Sequence, residues 1–591
     1  MPMPRSLLNS LLAAALALGV GSATAAADPN KVIRVAFVAA DDGFDLVRTN
    51  NSLYSSWVAS AIYENLLTYD YLARPAKLMP GVVEAMPAMS EDGKTYLFRL
   101  KKGIYFTPDP AFKGKKRELV AADYIYTIKR LLDPKNRAPQ AAAFEGKIVG
   151  MELLTGPAKK TNVFNYDQPI PGLEEVDRYT LRIRLNALDQ TFPYLLAHPT
   201  TGAVAREVIE FYGQDTGRHP IGTGPYILKN YVPRSKIVLE ANPDYRGFIW
   251  DFKSSGEAWD EQVIRDMKGK HMPQVGRVEV SIIEEEQSRW LAFSSGQLDF
   301  DALAENATSK VLDKDKLKPE FVAKGIRNYR YVNTDLIYAI FSFKDPTVGG
   351  YTPEKIALRR AIMMAYDIDA DIAQVRFGQA IKAQSNVPPN IAGHDPSYRR
   401  SIAYDPKLAN QLLDHFGYKK GADGYRTLPD GGPLTIVFNP APNSRDNTMS
   451  EIWKRSLDKI GIRVDFKVGS FADNLKAASR CELMAWWLGN SASIPDGSDF
   501  MESYYGPNIN QGNLSCYDSP VFNEAYRKAR LLPDGPERQQ YYTTMNRQLE
   551  ADSAQILMVS RIRNYVIQPW VKGLKKHPVH HNDWQYIDVV K

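Results

Sequence analysis

The sequence predicts an α/β protein, and three observations near its start carry this prediction. The stretch KVIRVAFVAA (residues 31–40) is rich in Val, Ile and Phe, as a buried strand is. The turn-forming letters DDGF follow it, and SLYSSWVASAIYENLLTYD then shows helical spacing, with Asn51 or Ser52 as the N-cap. A strand, a loop and a helix in this order open an α/β domain.

The triplet Gly93-Lys94-Thr95 ends the phosphate loop of many nucleotide-binding proteins. A phosphate loop requires another Gly at position 88, which is Ala here, and a helix after the Thr. The residues after Thr95 alternate as a strand does, and Asp92-Gly93 is typical of a hairpin turn. The sequence therefore predicts a hairpin here and no nucleotide site.

Further strands and helices follow in mixed order, as the α/β class requires. A helix is predicted from Leu119 to Asp133, before Pro134, and two strands flank a turn at Pro233. The other predicted elements are a strand at 176–185, a helix at 357–377, a helix running into a strand at 450–468, and a buried strand at 480–490.

Composition limits both the organisation of the protein and its partners. A chain of 591 residues is too long for one core, so two to four folding units are expected. The net charge of +6 is spread among 68 acidic residues, which argues against nucleic acid as a partner. The 32 Tyr, 23 Phe and 9 Trp fit either an aromatic-lined cavity or large mixed cores.

The first 27 residues have the pattern of a secretory signal peptide. Arg5 precedes an apolar stretch, and the small residues Ala23-Thr24-Ala25 follow it, so cleavage is expected near Ala25 or Ala27. The mature protein is then expected to be exported, to a periplasmic location. In an oxidising compartment Cys481 and Cys516 either pair as a disulfide or stay as two buried thiols, and pairing is the prediction.

Motifs of catalysis are absent from the sequence. It has no His-Glu-x-x-His and no Gly-x-Ser-x-Gly, and the Ser-x-x-Lys match at Ser456 lies inside a predicted helix. HPVHHN, which begins at His577, could hold a metal, but Pro578 spoils helical ligand spacing. We therefore predict no catalytic residues, no metal and no cofactor.

Five blocks occur in a fixed order and cover nearly the whole mature chain. They are LMPGVVEAMPAMSEDGKTYLFRLKKGIYF, LVAADYIYTIKRLLDP, IGTGPYILKNYVPRSKIVLEANPDYRG, ALRRAIMMAYDIDADI and AYDPKLANQLLDHFGY. In this order they resemble the family 5 extracellular solute-binding proteins, the peptide-type binding proteins of ABC importers. The C-terminal VIQPWVKGLKKHPVHHNDWQYIDV is similar to the ending of the oligopeptide-binding members.

This resemblance implies a type II periplasmic binding protein of the large three-part class, in which two α/β lobes flank a ligand cleft. Lobe I would comprise 28–70, 215–335 and 556–591, the extra domain 71–214, and lobe II 336–555. The segment 248–274 is longer than the usual link of the family and is expected to be a surface insertion with a polar helix.

The resemblance also implies a function: capture of a peptide-like solute by hinge closure, and delivery to an inner-membrane ABC permease with its ATPase subunits. Closure would occur about crossovers near 330–343 and 557–568. The protein would act as a monomer. The alternative is an exported hydrolase acting on peptides or cell-wall fragments.

Ligand contacts are expected on the strand that matches the family's Gly-Trp-x-x-Asp motif, whose Asp pairs with the peptide ammonium. The matching residues, with the other expected contacts, are Trp486, Trp487, Leu488, Gly489, Asn490, Asp42, Phe44 and Tyr338. Asn490 has no charge, so the ligand is expected to lack the ordinary free amine and to stack on a tryptophan. Otherwise Asp496, or less directly Asp42, replaces the carboxylate, or the register slips by a few residues.

Overall fold

The computed structural model describes residues 27–49, 52–580 and 582–591. The predicted signal peptide lies almost entirely outside the described residues. Helices and sheets are mixed throughout the described chain, which confirms the α/β prediction. None of the described helices combines the length and the apolar character that a bilayer-spanning helix needs.

The first lobe is built on a four-stranded sheet. Its strands stand in the order Asp28–Phe37, Val275–Ile282, Lys236–Ala241 and Tyr226–Val232, with the first pair parallel and the others antiparallel. The turn at Pro233 is therefore confirmed. The helices of this lobe are Leu53–Ile62, Ala258–Met267, Glu286–Ser294, Thr308–Val311 and Pro319–Val322.

The extra domain has an antiparallel sheet and a core of its own. The strand order is Ala88–Met89, Thr95–Arg99, Thr180–Arg184 and Leu173–Asp177. Ala88–Met89 and Thr95–Arg99 form the hairpin predicted in place of a phosphate loop. The helices of this domain are Ala121–Leu132, Glu152–Thr161, Phe192–Leu195 and Arg206–Tyr212.

The second lobe surrounds the larger part of an eight-stranded sheet. Its main path runs through Phe300–Ala302, Gln555–Ile567, Asp335–Phe341, Ala485–Ser491, Thr435–Phe438 and Arg463–Phe466. Arg327–Val332 and Ala380–Lys382 also pair with Gln555–Ile567. The helices are Pro353–Ala365, Ile368–Gln374, Pro406–His415, Ser444–Asp458, Phe471–Ser479, Ser498–Met501, Pro520–Leu531 and Pro536–Ala551.

Two predicted elements differ from the structure. The single helix expected over 357–377 is two helices, because the Asp367 side chain accepts a hydrogen bond from the Ala370 N–H and starts a new helix. The insertion at 248–274 is not only a surface segment. Trp250 and Met267 are fully buried, and Asp260 forms an ion pair of 2.5 Å with buried Lys575, so the insertion is anchored to the first lobe.

Two crossovers join the lobes, and both are strands of the eight-stranded sheet. Gln555–Ile567 pairs through its first half with Asp335–Phe341 and through its second half with Arg327–Val332. The chain thus passes between lobes at Asn333-Thr334 and again near Arg561. Separate apolar cores lie in the extra domain, the first lobe and the second lobe. The residue boundaries of the three parts stay a prediction.

Candidate functional site

A cavity of about 1010 Å³ lies between the two lobes. Residues of both crossovers line it, among them Asn333, Thr334, Arg561 and Arg563. The second lobe contributes Thr448 and other residues, and the extra domain reaches it through His198 and Pro199. A cavity with walls on two lobes changes shape when the lobes rotate about the crossovers.

One wall of the cavity is aromatic. Tyr54 and Trp57 come from the helix Leu53–Ile62, whose N-cap Ser52 accepts a hydrogen bond from the Ser55 N–H. Tyr331 and Tyr565 come from the two crossover strands, and their rings stack with centroids 6.3 Å apart. Such rings favour a ligand with planar or apolar groups, since each aromatic contact adds about 0.5–1.5 kcal/mol beyond burial.

Charged groups of both signs line the same cavity. Two cations are firmly held: Arg561 contacts buried Asp335 at 2.6 Å, and Lys576 pairs with Asp583 while its ammonium lies 4.3 Å from the centre of the Trp57 ring. The other charges are loosely paired or carry no ion pair within the described chain. They are Arg289, Arg445, Arg563, Glu286, Asp301 and Glu305.

Arg289 and Asp301 are the most buried of these loosely held charges. They are 5% and 8% exposed, yet their closest ion-pair distance is 3.9 Å. Arg289 donates to the carbonyls of Ile283 and Glu284, while its Nε has no hydrogen-bond partner among the described residues. Burial raises the pKa of the Asp301 carboxyl to about 6. Buried polar groups left unpaired favour a partner that enters the cavity.

Arg563 and Glu305 form a second loose pair, with 3.4 Å between the guanidinium and the carboxylate. Arg445 lies 3.5 Å from Asp446 and its side chain is 54% exposed. A ligand that carries an ammonium and a carboxylate therefore meets partners of both signs here.

The two predicted tryptophans do not line the cavity, which corrects the expectation that the ligand stacks on one of them. Trp486 packs on Phe471 in one core of the second lobe. Trp487 packs on Trp453 in the other core, and its Nε1 donates to Asp446 at 3.3 Å. Their strand is central in its sheet and both of its faces are covered, so successive residues are both buried.

The last predicted residues of this strand, 488–490, lie next to the cavity wall but do not line it. Leu488, Gly489 and Asn490 pair with Tyr338, Ile337 and Leu336, and Gly489 is exposed. The cavity wall is formed by the next three residues, 491–493. The cavity wall thus begins just after the residues that the resemblance matches, and a slip of the register by a few residues stays an open alternative. Ligand contacts of Leu488, Gly489 and Asn490 stay a prediction.

Asp496 does not offer a free carboxylate, and this is a second correction. It is 2% exposed and bridges both terminal nitrogens of Arg538 at 2.6 and 2.7 Å, while the Tyr542 hydroxyl donates to it at 3.1 Å. Its charge is balanced inside the second lobe, so it cannot replace the missing ammonium partner in this conformation.

The three remaining predicted contacts also lie outside the cavity wall. Phe44 is fully buried against Tyr231, and Tyr338 is buried in the second lobe. Asp42 is exposed, and its backbone N–H donates to the Ser55 hydroxyl. Phe44 and Tyr338 are thus core residues, because their side chains pack within the apolar cores of the first and the second lobe.

Sequence reasoning missed the residues that do line the cavity. One signal was available: Arg561, Arg563 and Tyr565 alternate along a strand whose intervening residues are buried. Polar side chains at every second position of a strand indicate that one of its faces is turned toward water or a ligand. No comparable pattern marks Arg289 or Asp301, which are brought together only by the fold.

Cys481 and Cys516 form a disulfide, with 6.0 Å between their Cα atoms, which confirms the predicted pairing. The bond ties the segment just before the strand Ala485–Ser491 to the loop just before the helix Pro520–Leu531. Within residues 27–49, 52–580 and 582–591, no group of three or more His, Cys, Asp and Glu residues is arranged to hold a metal ion. Of the HPVHHN letters, His581 lies outside the described residues.

Comparisons with known proteins agree on one family. Residues 77–512 match the family model "Bacterial extracellular solute-binding proteins, family 5 Middle". Di/tripeptide-binding protein 2 of Pseudomonas aeruginosa is 26% identical over 563 residues, which are 92% of each chain. Heme-binding protein A of Haemophilus influenzae is 24% identical, with 83% of this chain and 80% of that protein covered.

Solved structures share the fold over nearly the whole chain. The Helicobacter pylori periplasmic binding protein DppA, in complex with the peptide STSA, has a TM-score of 0.69 at 22% identity, with 95% and 98% of the chains covered. NikA from Brucella suis, in complex with Fe(III)-EDTA, has a TM-score of 0.73 at 18% identity, with 95% and 100% covered. The fold is that of a type II periplasmic binding protein, as expected.

Proposed function

The chain belongs to the bacterial extracellular solute-binding proteins of family 5, and from this premise we propose that it captures a peptide or peptide-like solute between its lobes. It then delivers the solute to an inner-membrane ABC permease with its ATPase subunits, and acts in the periplasm as a monomer. The observation that carries the proposal is the interlobe cavity, whose walls combine aromatic rings with loosely paired charges of both signs.

A peptide matches this wall in three respects. Its ammonium meets Asp301 or Glu305, its carboxylate meets Arg289, Arg445 or Arg563, and its side chains meet the rings. Asn490 has no carboxylate, but Asp301 or Glu305 can pair with the ammonium in its place. We keep Leu488, Gly489 and Asn490 as further contacts in a closed form, since they adjoin the wall formed by residues 491–493.

The two relatives are named as binding proteins, which supports solute binding. Because their names give different ligands, the ligand class has to be identified by experiment. Their printed names refer to di- and tripeptides and to heme. Both are named as binding proteins, and the hydrolase that the sequence left open finds no support among them. We propose a peptide because zwitterionic recognition needs both signs of charge, which this wall provides.

Calorimetry with one peptide in three forms tests the proposal. We expect the free peptide to bind most tightly, and N-acetylation and C-amidation each to weaken binding by about tenfold or more, because each removes a charge-assisted hydrogen bond. The peptide series should be chosen from ligands that mass spectrometry identifies after gentle purification from the periplasm.

Three outcomes would contradict parts of this proposal. Unchanged affinity after N-acetylation would reject the ammonium site and favour the blocked ligand that the sequence predicts. Release of peptide fragments during incubation would reject a pure binding role and favour the alternative function, an exported hydrolase. A co-purified ligand without peptide bonds would reject the peptide class.

A further inference from the structure

A second cavity, of about 320 Å³, lies where the first lobe, the extra domain and the insertion 248–274 meet. It shares only Pro199 with the interlobe cavity among the residues that line the two. Its volume is at the low end of the range for small-molecule sites. The insertion supplies Phe248 and Phe252, so this segment, which exceeds the family's usual link, forms part of a cavity wall.

The apolar part of this wall is aromatic. Phe248, Phe252 and Tyr586 form a cluster whose ring centroids are 5.6 to 6.3 Å apart, and Tyr245 adds a fourth ring. Phe248 and Phe252 are half-buried, so their rings keep accessible surface. A planar or apolar body that entered the cavity would gain both burial and ring contacts.

One end of the cavity carries a cation without a carboxylate. The Lys101 ammonium donates to the Gly81 carbonyl at 2.9 Å and has no ion pair with any described residue. The neighbouring Arg246 is already neutralised by Glu64, with contacts of 2.7 and 2.9 Å. Burial, and then the charge of Arg246, lower the pKa of Lys101, and the charge of Glu64 offsets this only in part. The Lys101 ammonium thus has no carboxylate in direct contact within the described residues.

The other carboxylates of the wall do not supply that partner. Asp70 accepts hydrogen bonds from the backbone N–H groups of Leu72 and Ala73. The register of the hairpin Leu67–Tyr69 and Leu78–Pro80 places Asp70 four residues along from the level of Gly81, roughly 13 Å away. Asp251 has a 70% exposed side chain and lies 4.0 Å from Lys268.

His580 adds an uncharged polar group to the wall. Its Nε2 is buried and has no hydrogen-bond partner among the described residues. Burial lowers the pKa of His580 to about 4, so the ring is neutral at pH 7 and does not add a second cation. A ligand oxygen or N–H can satisfy this nitrogen, depending on the tautomer.

We propose that this second cavity binds a small organic monocarboxylate with an aromatic or apolar body, whose carboxylate pairs with Lys101 and whose body contacts the rings of Tyr245, Phe248, Phe252 and Tyr586. The site is independent of the solute carried between the lobes. The site lies partly on the insertion. The proposal of this site does not depend on whether the interlobe ligand is a peptide.

The test uses 3-phenylpropanoate as the probe and its neutral amide as the matched compound, with saturation-transfer NMR titrations on the full mature protein. We expect one saturable site for the carboxylate and at least about tenfold weaker binding of the amide, because the charge-assisted contact is lost. Lys101→Gln should weaken carboxylate binding by about the same factor and leave amide binding unchanged.

Two variants serve as matched controls. Lys102→Gln removes the same charge from the adjacent, exposed lysine, and Arg445→Gln removes a cation from the interlobe cavity. Both should leave probe binding within about twofold, because neither side chain lines the second cavity. The proposal is overturned if the carboxylate shows no saturable binding, if Lys101→Gln binds it normally, or if Arg445→Gln is the variant that loses it.

Discussion

At the residue scale, the charges of the interlobe cavity differ in how firmly the protein holds them. Arg561 is fixed by Asp335 and Lys576 by Asp583, so these cations serve the structure. Arg289 and Asp301 are equally buried but only loosely paired. A buried charge without a close partner costs stability, and that cost falls when a ligand completes its hydrogen bonds.

Asp301 should make stability depend on pH. Its folded pKa of about 6 lies above the ordinary 3.8, so the folded protein holds this proton more tightly than the unfolded chain. Stability is therefore expected to fall as pH rises from about 4 to 6, by roughly 2–3 kcal/mol, and to change little from this group at higher pH. The Asp301→Asn variant should lack this decline.

The measurement is a series of urea unfolding curves between pH 4 and pH 7.5 for both proteins. Glu286→Gln, an exposed carboxylate of the same cavity, is the control and should follow the wild type. Parallel curves for the wild type and Asp301→Asn would show that Asp301 has an ordinary pKa.

Asp496 offers a second test at this scale, because the structure assigns it to a buried ion pair. Asp496→Ala leaves Arg538 uncompensated and is expected to cost about 3–5 kcal/mol of unfolding free energy. Asp534→Ala, at an exposed position, should change it by less than about 0.5 kcal/mol. Thermal unfolding and calorimetry on the same samples measure stability and ligand binding separately. A loss of ligand affinity at unchanged stability would show that Asp496 contacts the ligand.

At the element scale, the strand Ala485–Ser491 connects the second lobe's core to the cavity. It buries Trp486 and Trp487 on opposite faces and ends at the cavity wall. The disulfide holds the segment just before this strand. The core therefore fixes where residues 491–493 stand, and the tryptophans contribute to the cavity wall only by positioning the strand.

Removing the disulfide should destabilise the second lobe. Closing a loop of 35 residues stabilises by roughly 3–4 kcal/mol on the chain-entropy model, so Cys481→Ser with Cys516→Ser is expected to unfold at lower denaturant concentration. Ellman titration of the unfolded, unreduced wild type should find no free thiol. A double variant with the wild-type midpoint would show that the bond does not contribute.

At the scale of the whole molecule, the proposed closure would occur about two crossovers that are strands of one sheet. Asp335 receives hydrogen bonds from Asn333 at 2.7 Å and from the Arg561 Nε at 2.7 Å, and so ties the two crossovers together. A hinge of this kind concentrates the change in a few residues and leaves the cores unchanged. Ligand that contacts both lobes favours the closed form.

Small-angle scattering should therefore detect a smaller radius of gyration when the protein is saturated with its co-purified ligand. Asp335→Asn weakens the link between the crossovers and is expected to change the extent of closure, with a loss of stability because Arg561 loses its buried charged partner. Asp313→Asn, at the exposed end of the short strand Leu312–Asp313, is the control. An identical scattering curve with and without ligand would rule out hinge closure as the mechanism.

The sequence by itself determined the α/β class, the hairpin at Asp92-Gly93 and the resemblance to the family, whereas the pairing of Cys481 with Cys516 was a prediction that the structure confirmed. These features depend on local alternation, turn chemistry and ordered blocks, which a sequence displays directly. Only the tertiary structure decided the site. Arg563 and Tyr565 alternate along their strand, but Arg289 and Asp301 lie beside them only through packing of distant segments. No local pattern reports which face of a central strand is covered by another element, so Trp486 and Trp487 were misassigned.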